Sequence, residues 1–105
     1  MIADERSTAH AVATAVLAVP GVVDLDGGVF GEVATYLPGE RVVGVQLSDE
    51  SCAVHIVVDL RYELRDVAAQ AAAAASEAAG RVCSVTVEDV VTPPAAVGDS
   101  SGGAR

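Results

Sequence analysis

The stretch SCAVHIVVDL, residues 51–60, decides how the rest of the chain is interpreted. Every second residue from Cys52 to Leu60 is apolar or carries a thiol, and this two-residue period predicts a β-strand with one face in a core. Residues 41–48 alternate in the same way. The polar residues 48–50 between the two segments predict a turn, so the two strands are expected to form a hairpin.

A helix and a last strand follow this hairpin. Residues 63–79 carry leucine, valine and alanine at helical spacing, and Gly80 suits the left-handed cap that ends a helix. Residues 82–91 alternate again. If strand, helix and strand form a crossover, it is expected to be right-handed, with the two strands parallel. The apolar face of this helix is nearly all alanine, so each contact buries little area and we expect modest stability.

The first part of the chain predicts a helix and a short strand. Residues 4–18 are amphipathic, with Asp4 or Ser7 as the N-cap, and the helix must end before Pro20. Residues 21–28 alternate briefly and close with two glycines, which predicts a strand and then a loop. Residues 29–40 have no period and contain a turn signal, so they are expected to be a longer loop.

The predicted fold class is α+β, in two layers, with the element order α-β-β-β-α-β. Two helices are expected to pack on one face of a mixed four-stranded sheet. One domain is expected over residues 1–91, followed by a disordered tail over residues 92–105, which is rich in proline, glycine and serine.

Composition and charge exclude several classes of function. Fifteen acidic residues against six arginines give the 105-residue chain a formal charge of −9, which disfavours nucleic acid and anionic lipid as partners. Aromatic residues make up 3% of the chain, which disfavours an aromatic ligand cage. The acidic start MIADERSTAH has no signal-peptide pattern, and no stretch reaches the roughly eighteen apolar residues of a membrane span, so we expect a cytoplasmic chain without direct membrane insertion.

The residue types that carry chemistry are not arranged for catalysis. His55 and Asp59 share a strand face, but four residues along a strand is about 13 Å, too far for a hydrogen bond, and no nucleophile is evidently placed beside them. His10 has no second ligand at metal-site spacing. Cys52 and Cys83 lack the CxxC spacing and are expected to be reduced, buried thiols. We therefore expect no enzyme activity, cofactor or metal.

Three acidic or serine-containing patterns have ordinary explanations. Asp24 and Asp26 before two glycines suggest a cation loop only faintly, and two solvated carboxylates are the simpler interpretation. Glu88 and Asp89 point to opposite faces of a regular strand, so they do not form a carboxylate pair, and Asp89 marks a bulge or the end of the strand. The segment GDSSGG at residues 98–103 resembles a serine-protease signature by chance, because the rest of that machinery is missing.

Apolar side chains in the predicted loop form a candidate interaction surface. Phe30, Tyr36 and Leu37 either fold back to cap the end of the sheet or stay exposed for a partner or a second copy of the chain. Val42 and Val57 are expected on the sheet face that no helix covers, and an open sheet also has two edges that can add a strand. The candidate surface therefore comprises Phe30, Tyr36, Leu37, Val42 and Val57.

Five segments of the sequence form a pattern through their order and spacing. They are VPGVV at 19–23, GEVATYLPGERVVGV at 31–45, VHIVVDL at 54–60, LRDV at 64–67 and VTVEDVV at 85–91. This pattern resembles the alkaline-shock-protein family, also called the envelope stress response family, over about residues 2–91, and it depends on no single motif. Residues 31–45 are similar to the actinobacterial branch in particular.

The resemblance implies a non-enzymatic scaffold on the cytoplasmic side of the cell envelope, linked to cell-wall or alkaline stress. Better-known relatives assemble with themselves and dock on a small membrane-anchored envelope protein. We therefore expect a homo-oligomer that is cytoplasmic, or peripheral at the inner face of the membrane through its partner. The chain departs from the family in having no lysine and a short tail of low charge.

A second hypothesis is a small-ligand-binding regulator connected with fatty-acid or lipid metabolism, since some branches of the family resemble proteins with that connection. It predicts a pocket under the loop that runs from Phe30 to Leu37, and a melting temperature that an acyl ligand raises.

Overall fold

The structure, a computed structural model, describes residues 5–92. Over these residues two helices and six strands follow one another in the order α1, β1 to β5, α2, β6. Their bounds are α1 Glu5–Leu17, β1 Val22–Leu25, β2 Ala34–Leu37, β3 Glu40–Val43, β4 Val45–Leu47, β5 Ser51–Asp59, α2 Leu64–Ala79 and β6 Val82–Val91. The α+β class is confirmed, and the structure adds two strands to the predicted order.

The main sheet is mixed and four-stranded, as predicted, and the structure places β5 at its centre. On one side β5 pairs in parallel with β6, the two strands that α2 connects. On the other side it pairs antiparallel with β4 through residues 52–54 and with β1 through residues 56–58. Strands β1 and β4 therefore lie end to end along one edge of β5. They meet at His55, whose N–H donates to Gly44 and whose carbonyl accepts from Asp26.

Gly44 lies between β3 and β4 and separates them, which is why the single strand expected over residues 41–48 is two. Its φ of +86° belongs to the left-handed region that favours glycine. A Cβ at this position would lie 2.7 Å from Leu25 Cβ and 3.0 Å from the Asp26 nitrogen. The Leu25 side chain and the Asp26 backbone thus lie too close to Gly44 for any side chain to fit there.

The loop expected over residues 29–40 is corrected by the structure, because it contains β2. Strands β2 and β3 form an antiparallel hairpin outside the main sheet, with Leu37 opposite Glu40 at its tip. Thr35 and Val42 face inward, and the Thr35 hydroxyl donates to the Val45 carbonyl at 2.5 Å. The hairpin tip lies beside α1, where Arg6 forms an ion pair with Glu40.

The core lies between the sheet and the two helices, which pack on the same face. Its sheet side comes from the alternate residues of β5, from Cys52 to Val58, as their period predicts. Its helix side consists mainly of valine and alanine. The buried residues of α2 are Val67, Ala71, Ala75 and Ala79, and those of α1 include Ala9, Val12 and Val16.

The ends of α2 are capped by the residues that flank it. The Glu63 side chain accepts from the Asp66 amide at 3.0 Å. Gly80, at φ +69°, donates its amide to the Ser76 carbonyl, which confirms the predicted left-handed cap. For α1, Ser7 lies inside the helix and is therefore not its N-cap, whereas Asp4 lies outside the described residues. The tail from residue 93 onward also lies outside them.

Candidate interaction surface

The two large apolar side chains with the greatest exposure among the described residues, Val29 and Phe30, belong to the segment between β1 and β4. Val29 is 83% exposed, Phe30 89% and Tyr36 65%. Phe30 and Tyr36 are two of the three aromatic residues in the chain, so most of its aromatic surface is not used in the core. We call six of the exposed residues in this segment, without Pro38, Gly39 and Glu40 at the hairpin tip, the hairpin patch. Its members are Val29, Phe30, Glu32, Tyr36, Arg41 and Val43.

Backbone hydrogen bonds hold the loop that presents Val29 and Phe30. The Asp26 carboxylate accepts from the Gly28 amide at 2.8 Å, and the Glu32 carboxylate accepts from the Phe30 amide at 3.2 Å. The loop closes where the Val33 amide donates to the Gly27 carbonyl at 2.9 Å. Two glycines with positive φ, Gly28 and Gly31, allow these tight bends. The aromatic side chain of Phe30 is thus presented by a fixed loop.

The alternation of the β2–β3 hairpin places Tyr36 outside. Thr35 and Val42 are opposite each other and face the core, so their neighbours Tyr36 and Arg41, also an opposite pair, face outward. Arg41 and Val43 are both exposed. Tyrosine and arginine are the residue types that most often dominate binding energy at protein interfaces.

The structure separates the five residues predicted for an interaction surface. Phe30 and Tyr36 are exposed together in the hairpin patch, whereas Leu37 is only partly buried and packs against the core. Val42 was expected on the uncovered sheet face, and this is wrong: it is 7% exposed and lies in the core. Val57 is half-buried on the face of β5 opposite the helices. Val42 was misplaced because residues 41–48 do not form one strand.

The face of the sheet opposite the helices is mostly polar. Across β4, β5 and β6, Gln46, Ala53 and Ser84 form one row. Asp24, Val57 and Asp89 form another across β1, β5 and β6. Val57 is the only large apolar side chain in these two rows, so this face can meet water without a covering element.

His55 and Glu88 form a hydrogen-bonded pair on this face, which spacing along one strand does not predict. The pair joins His55 Nδ1 to a Glu88 carboxylate oxygen, and the side chains are 19% and 20% exposed. A bulge causes it: Ile56 pairs with Val87 but Val57 pairs with Asp89, so Glu88 is an extra residue in β6. The bulge was one of two predictions for Asp89. Because the strand is irregular, both Glu88 and Asp89 lie on this face, which corrects their predicted separation.

Asp59 has a different partner and a structural role. Its two carboxylate oxygens accept from Arg61 Nε at 3.0 Å and Arg61 Nη2 at 2.8 Å, and one of them also accepts from the Arg61 amide. The side-chain and backbone hydrogen bonds of Arg61 hold the pKa of Asp59 below its usual range. Asp59 therefore fixes the turn between β5 and α2.

The two cysteines are direct neighbours across β5 and β6, and both are buried free thiols, as predicted. Burial, together with the neighbouring Cys83 thiol, raises the pKa of Cys52 to about 12. The thiolate is the reactive form of cysteine, so Cys52 is unreactive near neutral pH in the folded protein.

The remaining polar candidates make local contacts. His10 lies 3.3 Å from a Glu40 carboxylate oxygen on the exposed side of α1. Asp24 and Asp26 accept from backbone amides within two residues. Within residues 5–92 no three histidine, cysteine or acidic side chains are grouped so as to hold a metal ion. The GDSSGG segment at 98–103 lies outside the described residues.

The comparisons with known proteins add no assignment to this geometry. Among the described residues no helix is long and apolar enough to cross a membrane. The chain matches no protein-family model, no curated protein and no solved structure.

Proposed function

We propose that this protein is a non-catalytic interaction module that binds a second copy of itself and a protein partner through the hairpin patch. The observation that carries the proposal is the exposure of Phe30 and Tyr36, at 89% and 65%, in a chain with only three aromatic residues. A folded domain gains most by burying its aromatic side chains. Two exposed aromatics on a hydrogen-bonded scaffold are better explained by a binding role.

The surroundings of the patch support this proposal. The hydrogen bonds of the Asp26–Val33 loop and the inward packing of Thr35 and Val42 hold the patch in place before any partner arrives. Preorganisation reduces the entropy lost on binding. The patch also combines apolar and aromatic side chains with Arg41, and aromatic residues and arginine are enriched at protein interfaces.

The cellular setting of the proposal comes from the sequence resemblance. As a protein similar to the alkaline-shock-protein family, the chain would act on the cytoplasmic side of the envelope and dock on a small membrane-anchored protein. Its role would then be that of a scaffold in cell-wall or alkaline stress. Since the open face of the sheet is mostly polar in the two rows described above, we place such a partner on the hairpin patch rather than on that face.

The test is light scattering coupled to gel filtration on wild type and on a Phe30→Ser, Tyr36→Ser double variant. Leu37 stays unchanged because it packs against the core. The matched control is Leu60→Ser, Val82→Ser, which alters two apolar side chains that are 62% and 76% exposed elsewhere. We expect a concentration-dependent mass above one chain for wild type and control, and the mass of one chain for the patch variant.

Two results would contradict the proposed scaffold function. If wild type stays a single chain and the patch variant captures the same proteins as wild type in pull-downs, the hairpin patch is not a binding surface. If an acyl ligand raises the melting temperature of wild type but not of the patch variant, the regulator of lipid metabolism replaces the scaffold as the better proposal.

A further inference from the structure

The fold places the two cysteines of the chain side by side. Cys52 is the second residue of β5 and Cys83 the second residue of β6, and the parallel register pairs them directly. Both side chains are buried in the core between the sheet and the helices. Residues 53–82, which include α2, separate them in the sequence. Two thiols that are distant along the chain are thus neighbours in the folded protein.

The spacing of paired strands suits a disulfide bond at this position. Neighbouring strands lie about 4.8 Å apart, and disulfides join residues whose Cα atoms are about 4.4–6.8 Å apart. The two thiols already act on each other. Burial is the largest cause of the raised pKa of Cys52, and the hydrogen bond and charge of the Cys83 thiol raise this pKa further. The sulfur atoms can therefore be joined with little movement of either strand.

The cysteine pair lies near one end of the sheet, where a small oxidant can reach it. Ser51 and Val82, the pair before it in the ladder, are the first residues of their strands, and both are exposed. Cys83 is 7% exposed and Cys52 is 3% exposed. Since Cys52 is also held in the unreactive thiol form near neutral pH, Cys83 is the residue that meets the oxidant first.

We propose that Cys52 and Cys83 form a reversible disulfide bond when the folded protein meets hydrogen peroxide. The Cys83 thiolate attacks one oxygen of the peroxide, the O–O bond breaks, and Cys83 becomes a sulfenic acid as hydroxide leaves. The Cys52 thiol then attacks the Cys83 sulfur, the S–O bond breaks, and water leaves. In total the two thiols give up two electrons and two protons, and one peroxide becomes two water molecules. This inference is independent of the hairpin patch.

The same geometry makes the bond easy to reduce. Directly paired residues of parallel strands project in the same direction, so their Cβ atoms are about as far apart as the strands, about 4.8 Å. Disulfides favour a Cβ separation of about 3.5–4.5 Å, and bonds that depart from it are strained and more readily reduced. A thiol reductant is therefore expected to return both free thiols, the state that the structure shows.

Oxidation is expected to stabilise the part of the fold that contains β6. Among the described strands β6 pairs with β5 alone, so it is held from one side. The Cys83 amide donates to Ser76 Oγ at 3.1 Å, so the last turn of α2 is tied to the same position. A bond from Cys83 to Cys52 links α2 and β6 covalently to the central strand, and it restricts the unfolded chain by closing the loop of residues 53–82.

The test is intact mass spectrometry of the full chain after treatment with hydrogen peroxide in native buffer, followed by alkylation with N-ethylmaleimide in urea. We expect each wild-type chain to lose about 2 Da and to take up no N-ethylmaleimide, and dithiothreitol to restore both thiols. The rate is expected to rise with pH, because the thiolate is the reactive form. The oxidised protein is expected to melt at least about 4 °C higher than the reduced protein.

The matched control is Cys52→Ala, Ala53→Cys, which has the composition of wild type but carries one thiol on the opposite face of β5. We expect this variant to form no bond within the chain, and circular dichroism checks that it folds. Single Cys52→Ser and Cys83→Ser variants are expected to lack the 2 Da loss as well.

Four results would overturn the proposal. The first is a wild-type chain that keeps both thiols or gains only oxygen, and the second is a bond that forms only between chains or only in urea. The third is a 2 Da loss that the control reaches as fast as wild type, because the bond would then not depend on the register. The fourth is an oxidised protein that melts no higher than the reduced one, because the bond would then not fit the folded pairing of β5 and β6.

Discussion

At the scale of single residues, the ionisation of Asp59 makes the free energy of unfolding depend on pH. Three hydrogen bonds from Arg61 favour its ionised form, so its pKa in the folded chain is lower than in the unfolded chain. Such a group contributes its full stability above the unfolded pKa, near 3.9 for aspartate. The contribution is then lost as the pH falls through the lower folded value.

We predict that Asp59→Asn removes part of the acid sensitivity of the fold. Urea unfolding of wild type is expected to show a free energy that falls below about pH 4, and the Asn variant a smaller fall over the same range. At pH 7 the variant is expected to be less stable than wild type, because the ion pair with Arg61 is gone. Asp49→Asn, on the exposed β4–β5 turn, is the control. An Asn variant that follows the wild-type curve would contradict the role of Asp59.

Residue patterns predicted the core better than the surface. The alternation from Cys52 to Val58 correctly identified the buried face of β5, because burial follows from a strand's own period. The pair of His55 and Glu88 could not be predicted in this way, since it depends on the parallel register and on a bulge in β6. Local spacing contains no signal for either.

At the scale of elements, Gly44 decides where one strand becomes two. Its positive φ is costly for any other residue, and a Cβ there would meet the backbone and side chain of β1. Gly80 has a similar φ of +69°, but nothing lies within 4 Å of a Cβ added to it. A side chain at Gly80 would therefore cause backbone strain alone, whereas one at Gly44 would cause both strain and a steric clash.

We predict that Gly80→Ala lowers the free energy of unfolding by about 1 kcal/mol, the cost of a left-handed residue with a side chain. Gly44→Ala is expected to cost about 3 kcal/mol, because steric clash adds to that strain. Chemical denaturation of both variants measures the difference. Equal losses would mean that the backbone at Gly44 moves away from β1 without penalty.

Strand β2 of the β2–β3 hairpin was predicted as part of a loop, and its sequence shows why. Val33, Thr35 and Leu37 alternate inward, and Pro38-Gly39 supplies a turn with Gly39 at φ +80°. That signal was present in the sequence. It was missed because the turn of this hairpin is Pro38-Gly39 rather than the Asn-Gly or Asp-Gly typical of hairpins, and because residues 41–48 looked like one continuous strand. The error in the strand also misplaced Val42.

At the scale of the whole molecule, stability is expected to be uneven across the sheet. Of the strands in the described part of the chain, only β5 has partners on both sides, whereas β1 and β4 are short and each holds about half of one edge. Segments with fewer hydrogen-bonded partners open locally at lower free energy.

We predict that hydrogen exchange is slowest for the amides of β5, with Val54 and Ile56 among the most protected because both are fully buried. The amides of β1 and of the β2–β3 hairpin are expected to exchange faster, through local opening that leaves β5 and β6 paired. Exchange followed residue by residue by NMR measures this order. Equal protection in β1 and β5 would show that the molecule opens only as one unit.

Because β5 is the central strand, its position in the sequence also determines when the sheet can form during translation. Strands β1 and β4 leave the ribosome before β5, the strand against which both must lie, and β6 leaves last of all. Helix α1 and the β2–β3 hairpin are thus synthesised before most of the residues that pack against them. While translation proceeds from residue 22 to residue 59, β1 and β4 lack their complete partner strand. They can pair fully only after β5, which ends with VHIVVD, has been synthesised.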